Sequence, residues 1–415
     1  MSAILERFDA ARALADLREL TAATGDERGA RRLAWSDGWQ QAREWVRARL
    51  AELPCTLERD EAGSLWATLP GARPEAVVVG SHVDAVPAGG WLDGTLGVVA
   101  GLEVMRAAAA AGQPPVTLRL VDWADEEGAR FGPSLFGSRA VVGDIDPPAM
   151  ADLRDADGLR CEDVLRANGV ELARVLDAGR RRGDIDAYLE LHVEQGPLLE
   201  QRGLSCASVD DVLGIDRHSV RFTGAARHAG QTPMEVRRDA FLAGARFALE
   251  CREIARRRPG ALATTGPVTV DPGIVTVVNG GCAIMLDLRS RDRAELAEMV
   301  AEARSAAARI AEQERVELDW EVVWEAPPMS FDPELVAIGA DACAAETGER
   351  LLMASGSGHD AVALGRHLPA ALLFVRSTGG IGHSPEEDSP EADLLAGLRA
   401  FARLVDGTIA WLERR

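Results

Sequence analysis

Glu75–Val83 reads EAVVVGSHV, Gly97–Gly112 reads GVVAGLEVMRAAAAAG and Val116–Val121 reads VTLRLV. The first and third runs are short, β-branched and apolar, as buried strands are. The run between them is rich in helix formers and stops at a glycine with Pro114 and Pro115 beyond it. Strand, helix and strand in succession predict parallel strands joined by a covering helix. Ala187–Gly196, AYLELHVEQG, reads as a further strand. The fold class expected is α/β: a mostly parallel, mixed sheet flanked by helices.

The pattern changes near Val209. His218–Gly224 alternates, Pro233–Arg257 has helical spacing, and GIVTVVNGG and CAIMLDLRS follow as strands. Ala294–Glu314 is a second helix and Val316–Trp324 alternates again. Strand, helix, two strands, helix, strand describes an α+β sandwich. The α/β style returns after Pro327-Pro328. The reading is therefore a discontinuous large domain, residues 1–210 and 327–415, with residues 211–326 inserted into it.

The 415 residues carry a net charge of -20, which repels polyanions and argues against nucleic acid as a partner. Six scattered cysteines with no Cys-x-x-Cys pair fit neither a disulfide framework nor a zinc ribbon. The first twenty residues are charged throughout, unlike a signal peptide, and no run approaches the ~20 apolar residues of a membrane helix. The expectation is a soluble cytoplasmic protein with no membrane partner.

There are seven histidines, and several fall at strand ends beside glycines. GSHVDAVPAGGWLDG places His82 at the end of a strand, Asp84 two residues on and Asp93 after a Gly-Gly turn. LELHVEQG puts His192 and Glu194 on one face of another strand end, and GIGHSPEE holds His383 in a glycine-flanked loop. VDWADEEGARFG sets Glu126 and Glu127 just past VTLRLV. Open α/β sheets bind ligands beyond the carboxyl ends of their strands. Histidines and carboxylates gathered there make a mixed nitrogen and oxygen donor set, suited to zinc, manganese or cobalt rather than magnesium. Asp93 can bridge two ions, Glu127 can ligate, and Glu126, diverging from its neighbour on an extended chain, can act as general base. Asp84 is read as a carboxylate that fixes the His82 tautomer from behind, or one that simply caps a turn. A lone histidine at a strand end is more often a hydrogen-bonded structural residue, and that reading is kept for His218 and His367.

The segments GSHVDAVPAGGWLDGTLGVVAGLE, DEEGARFGPSLFGSRAVVG, ELHVEQGPLLE, ARHAGQTPMEVRRDA, SGSGHDA and GIGHSPEE resemble, in order, the di-metal aminoacylase and carboxypeptidase clan. They look like its hydantoinase/carbamoylase branch, which holds N-carbamoyl-L-amino-acid amidohydrolases, β-ureidopropionases and allantoate amidohydrolases. The resemblance implies two divalent metal ions per subunit held by His82, Asp93, Glu127, His192 and His383, with Asp93 bridging and Glu126 as base. It implies that the inserted domain forms a homodimer and sends His228 into the partner's site to stabilise an oxyanion. It gives the substrate carboxylate to Arg289 and further substrate contacts to Gln195 and His359. It also implies a cis peptide bond at Asp93-Gly94. The chain departs from the branch at Thr276 and Asn279, where asparagine and proline are usual, at Trp91-Leu92 and at Gly382, where serine is usual. The implied reaction is hydrolysis of the ureido bond of an N-carbamoyl-L-amino acid or related ureido acid. The competing readings are an N-acyl-amino-acid deacylase or dipeptidase of the same clan, and a non-catalytic binding module on this fold.

Overall fold

The computed structural model describes residues 3–415, so the first two residues of the N-terminal stretch lie outside the described residues. The chain divides into two compact units. One comprises the chain to Asp210 together with Ser330–Arg415, and the other is Asp211–Met329.

The larger unit is built on a nine-stranded mixed sheet. Its centre is four parallel strands in the order Ala370–Val375, Ala187–Val193, Arg73–His82 and Val116–Trp123. Antiparallel strands flank them: Cys206–Val212 on one side, Leu65–Leu69 and Thr56–Arg59 on the other. Val77, Val78 and Val79 are fully buried, which is why that strand reads as a continuous apolar run rather than an alternating one, and Leu118 and Leu120 are fully buried beside it. Each such side chain contributes about 1.5–3 kcal/mol of burial. The helix Thr95–Ala111 is buried almost all round and packs on the Arg73–His82 and Val116–Trp123 strands, while Glu391–Glu413 packs on the neighbouring pair.

Parallel pairing puts the carboxyl ends of all four central strands on one edge. His82 lies opposite Trp123, and His192 opposite Phe374. The segments that follow these strands therefore all leave the sheet at one edge.

The second unit carries a four-stranded antiparallel sheet in the order Leu262–Asp271, Gly281–Ser290, Gly214–Thr223, Glu317–Ala326. Gly214–Thr223 alternates buried and accessible positions, so one face is apolar. That face packs with the helices Ala240–Arg256 and Arg293–Glu314, around Phe222, Phe247, Ile284, Leu286, Met299 and Ile310. Asp239 and Asp292 cap the two helices by accepting backbone N–H groups of their first turns.

Two expectations change here. GIVTVVNGG is mostly loop, turned by Gly273 at φ +65°, and only Val277–Val278 pairs, with Arg227–His228. The strand beside Gly281–Ser290 is instead Leu262–Asp271, whose register shifts between Thr265 and Val268 around Gly266-Pro267. Proline cannot donate to the ladder, so this strand sits at the sheet edge. Among the described residues no helix is long and apolar enough to cross a membrane.

Candidate metal centre

His82 is the last residue of its strand, and its ring is fixed from behind. Nδ1 lies 3.0 Å from the carbonyl oxygen of Asp84. A carbonyl only accepts, so the proton sits on Nδ1 and the Nε2 lone pair faces the cleft. His192 repeats the arrangement, with Nδ1 2.9 Å from the carbonyl of Val193. The Asp84 carboxylate does something else. It stands 3.6 Å from the imidazole Nδ1 and accepts the backbone N–H groups of Glu126 and Glu127, each at 3.1 Å. The residue expected to orient His82 with its carboxylate does so with its carbonyl, and its carboxylate clamps the Glu126-Glu127 turn.

That turn is not extended chain. The strand ends at Trp123, Asp125 takes φ +53° and Gly128 φ +62°. Backbone bonds from Leu135, Phe136 and Gly137 to the carbonyls of Glu126, Asp125 and Ala124 close it. The two adjacent carboxylates diverge because of this turn: Glu126 Oε2 lies 3.6 Å from His82 Nε2, and Glu127 Oε2 lies 3.5 Å from His383 Nε2.

Asp93 sits between them. Its Oδ1 is 3.0 Å from His192 Nε2 and 3.7 Å from His82 Nε2, and its Oδ2 is 3.3 Å from His383 Nε2. Two donor trios result: His82, Asp93 and His192, all buried, and Asp93, Glu127 and His383, the more accessible. Within each, the donor atoms lie within 4.8 Å of one another. Asp93 belongs to both, with Oδ1 facing the histidines of the first and Oδ2 the histidine of the second. The Asp93-Gly94 bond is not cis; among the described residues the cis bonds are Gly266-Pro267 and Asp271-Pro272. Gly94 is required for another reason: it has φ +64°, and a Cβ there would lie 2.4 Å from the His82 carbonyl oxygen and 2.5 Å from its ring.

The donor chemistry fits divalent cations. Three imidazoles and two carboxylates match the mixed nitrogen and oxygen preference of zinc, manganese or cobalt. His82 Nε2 is buried with no hydrogen-bond partner, a cost that a ligated cation removes. The acids are crowded. Burial, then the charges of Asp360, Glu127, Asp84 and Asp93, holds the Glu126 carboxyl well above its ordinary range. Burial and the charges of Asp93 and Asp84 push Glu127 up to about 10. Burial works to lower His192, but its hydrogen bond to Asp93 and the charge there outweigh it and raise the ring to about 9. Burial also works against the Asp93 carboxylate, yet His192, His82 and His383 hold its pKa below the usual range.

Among the other expected residues, Gln195 (φ +53°) donates from Nε2 to Asp93 Oδ2 at 2.9 Å. The buried His359 ring stands 4.5 Å from that of His192, with Nε2 3.2 Å from Ser355 Oγ. Burial and then the charge of His192 keep it neutral. Glu194 turns away from His192 and accepts the backbone N–H groups of Leu198 and Leu199. His228, Arg289, Thr276 and Asn279 all lie on the second unit. His228 is exposed, and Gly230 N–H donates to its Nδ1 at 3.0 Å. The next residue, Ala229, bonds the Thr276 carbonyl, while the Asn279 side chain accepts from Gly273 N–H. Arg289 Nε and Nη2 donate to Asp287 at 2.7 and 3.1 Å, and Arg217 grips the same carboxylate. His218 accepts from Trp320 Nε1, and His367 bonds Asp144.

Two residues escaped sequence reasoning. Glu387 Oε1 accepts the backbone N–H groups of Leu92 and Asp93 at 3.1 and 3.0 Å. Its place in GIGHSPEE was the available signal. Arg32 is fully buried and donates from Nε to the Val83 carbonyl at 2.8 Å; nothing in ARRLAW marks it.

Strand-end imidazoles, a shared aspartate and an adjacent buried glutamate on a parallel sheet define a metal-dependent hydrolase centre. The chain belongs to the peptidase family M20/M25/M40, whose model matches residues 78–407. It is thus a hydrolase of amide C–N bonds. It is 35% identical over 383 residues to N-carbamoyl-L-amino acid amidohydrolase of Geobacillus stearothermophilus, covering 91% of this chain and 93% of that one. It is 33% identical to allantoate amidohydrolase of Escherichia coli K12, over 92% and 93% of the two chains. The crystal structure of a hydantoinase/carbamoylase family amidase from Burkholderia multivorans superposes with a TM-score of 0.88 at 32% identity, over 97% of this chain and 98% of that one.

Proposed function

We propose that the protein hydrolyses the ureido C–N bond of an N-carbamoyl-L-amino acid or a related ureido acid. The observation that carries this is the position of Glu126 beside two donor trios that share Asp93, in a chain similar throughout to enzymes named for such substrates. His82, Asp93 and His192 would hold one divalent ion and Asp93, Glu127 and His383 the other. Bound there, such ions polarise a carbonyl and lower the pKa of water.

The remaining work falls to the chain. Glu126 takes a proton at Oε2 from the attacking water and returns it to the leaving nitrogen. Its raised proton affinity suits both halves of that task, because a carboxyl of ordinary acidity would hold the proton too briefly to deliver it. Asp84 keeps Glu126 and Glu127 diverging by binding both their amides. Arg289 receives the substrate carboxylate on a guanidinium whose orientation Asp287 fixes. His228, supplied by the inserted unit of a partner subunit in a homodimer, donates to the oxyanion. Cleavage yields the amino acid and a carbamate, which decomposes to carbon dioxide and ammonia.

The test is ammonia release by the manganese-, zinc- or cobalt-loaded protein. Substrates are N-carbamoyl-L-amino acids, N-carbamoyl-β-alanine and allantoate, with N-acetyl-amino acids and dipeptides followed by free amine. Ammonia from a ureido acid, abolished by chelator, is the expected result. Amine from the acyl or peptide set with no ammonia would move the protein to the deacylase or dipeptidase reading. Thr276, which is shorter than the asparagine usual there, would then be the first residue to examine.

A further inference from the structure

Asp93 serves the two trios with different oxygens, so the orientation of its carboxylate decides both. Oδ1 is aimed by His192 at 3.0 Å. Oδ2 faces the more accessible trio, where the His383 side chain is 53% exposed and fixes little by itself. The close partner of Oδ2 is Gln195, whose Nε2 donates at 2.9 Å.

Gln195 is itself held in place. Its backbone N–H donates to Ser377 Oγ at 2.9 Å, and φ +53° turns the residue out of the strand line that ends at Val193. The side chain reaches Asp93 by crossing the backbone at Gly382. A Cβ at 382 would lie 2.5 Å from Gln195 Cγ, 2.7 Å from Cβ and 2.8 Å from Cδ. Gly382 has no positive φ, so the backbone there suits any residue and only space demands glycine. A Cβ at Gly380, in the same segment, would lie 2.8 Å from the Pro197 nitrogen. The Gln195 side chain thus packs directly on the backbone at Gly382.

We infer that Gln195 is a positioning residue for the shared aspartate, holding Asp93 Oδ2 toward Glu127 and His383, and that Gly382 supplies the room its side chain needs. The inference rests on the proposed metal centre. An amide N–H on one lone pair of a carboxylate oxygen leaves the other for a cation, and hydrogen bonds to ligating carboxylates set their orientation.

The experiment is a titration of the full-length apoprotein with Zn²⁺ against a chromophoric chelator. It reads the number of ions bound per chain and the dissociation constant of each. Wild type is expected to bind two. Gln195→Gly, easily accommodated at φ +53°, should weaken the second ion about 10–100-fold and leave the first within about threefold, well inside that effect. Gln195→Met, which fills the space without a donor, should do the same. Gly382→Ala should also weaken the second ion, by displacing Gln195, and should add little when combined with Gln195→Gly, because the two changes remove one interaction. Two ions bound with unchanged constants in Gln195→Gly would overturn the inference. So would additive losses in the double variant, or Gln195→Met behaving as wild type. A wild-type protein that binds no zinc would overturn the metal centre itself, and the inference with it.

Discussion

At the residue scale the centre is a problem of proton affinity. Glu126 is buried among acids that all disfavour its charge, which suits it to the proposed role of a base that keeps its proton long enough to deliver it. Glu126→Gln is expected to lower kcat about 10²–10⁴-fold, the usual worth of general acid–base catalysis, with metal content unchanged. Normal turnover in that variant would remove the role. The same crowding makes metal binding depend on pH. Glu127, raised to about 10, and His192, raised to about 9, both hold protons at neutral pH before an ion arrives. Ligation requires these groups deprotonated, so ions must displace protons. Apparent zinc affinity should therefore rise with pH from neutrality toward the region of those pKa values, and loading at pH 7 should release protons. Calorimetric titration in two buffers of different ionisation enthalpy checks the sign; equal heats in both would contradict it.

At the scale of elements, the site depends on how two segments leave the sheet. The Arg73–His82 strand hands over to a loop that returns as the Thr95–Ala111 helix, and the crossing point is Gly94 against His82. Gly94→Ala meets both a positive φ and backbone and ring atoms at 2.4–2.5 Å. It is expected to lower stability by about 1–3 kcal/mol through strain alone, and to cost zinc affinity by shifting His82. Denaturant unfolding and zinc titration of the same variant measure the two effects. The second segment is the Asp125–Gly128 turn. Adjacent glutamates after a strand suggest a base and ligand pair, but an extended chain is not what separates them. Two positive-φ residues and the Asp84 carboxylate do that. The misread strand in the second unit has a similar origin. Ile274, Val275, Val277 and Val278 have strand composition, yet Gly273 turns the chain, while Pro267 hides a strand that does form. β propensity reports a half-buried pleated surface, and which stretch acquires one depends on neighbours distant in sequence.

At the scale of the whole molecule, the proposed roles are split between two units. His82, Asp93, Glu126, Glu127, His192 and His383 belong to the larger, and His228 and Arg289 to Asp211–Met329. If His228 acts in the partner's site, Glu126→Gln and His228→Ala chains, each inactive as homodimers, should regain ureido-acid hydrolysis when mixed and allowed to exchange subunits. A mixture that stays inactive while exchange is demonstrated by mass would exclude action in trans.

By itself the sequence determined the parallel α/β core, because Val77–Val79 is apolar on both faces, as only a strand covered on both sides is, and a helix-forming run joins it to the next strand, Val116–Val121. It also marked the six residues of the proposed centre, which the structure brings within reach of one another. What only the tertiary structure decided is how they are aimed. Arg32 reaches the Val83 carbonyl across 51 residues, and Glu387 reaches the amide of Asp93 across 294. Asp84 serves His82 through its carbonyl rather than its carboxylate, and Gln195 finds Asp93 through a gap that exists because Gly382 lacks a side chain. Local pattern encodes which face of a strand is buried. The direction of a hydrogen bond between loops is set by the packing of segments far apart in the chain, and composition carries no trace of it.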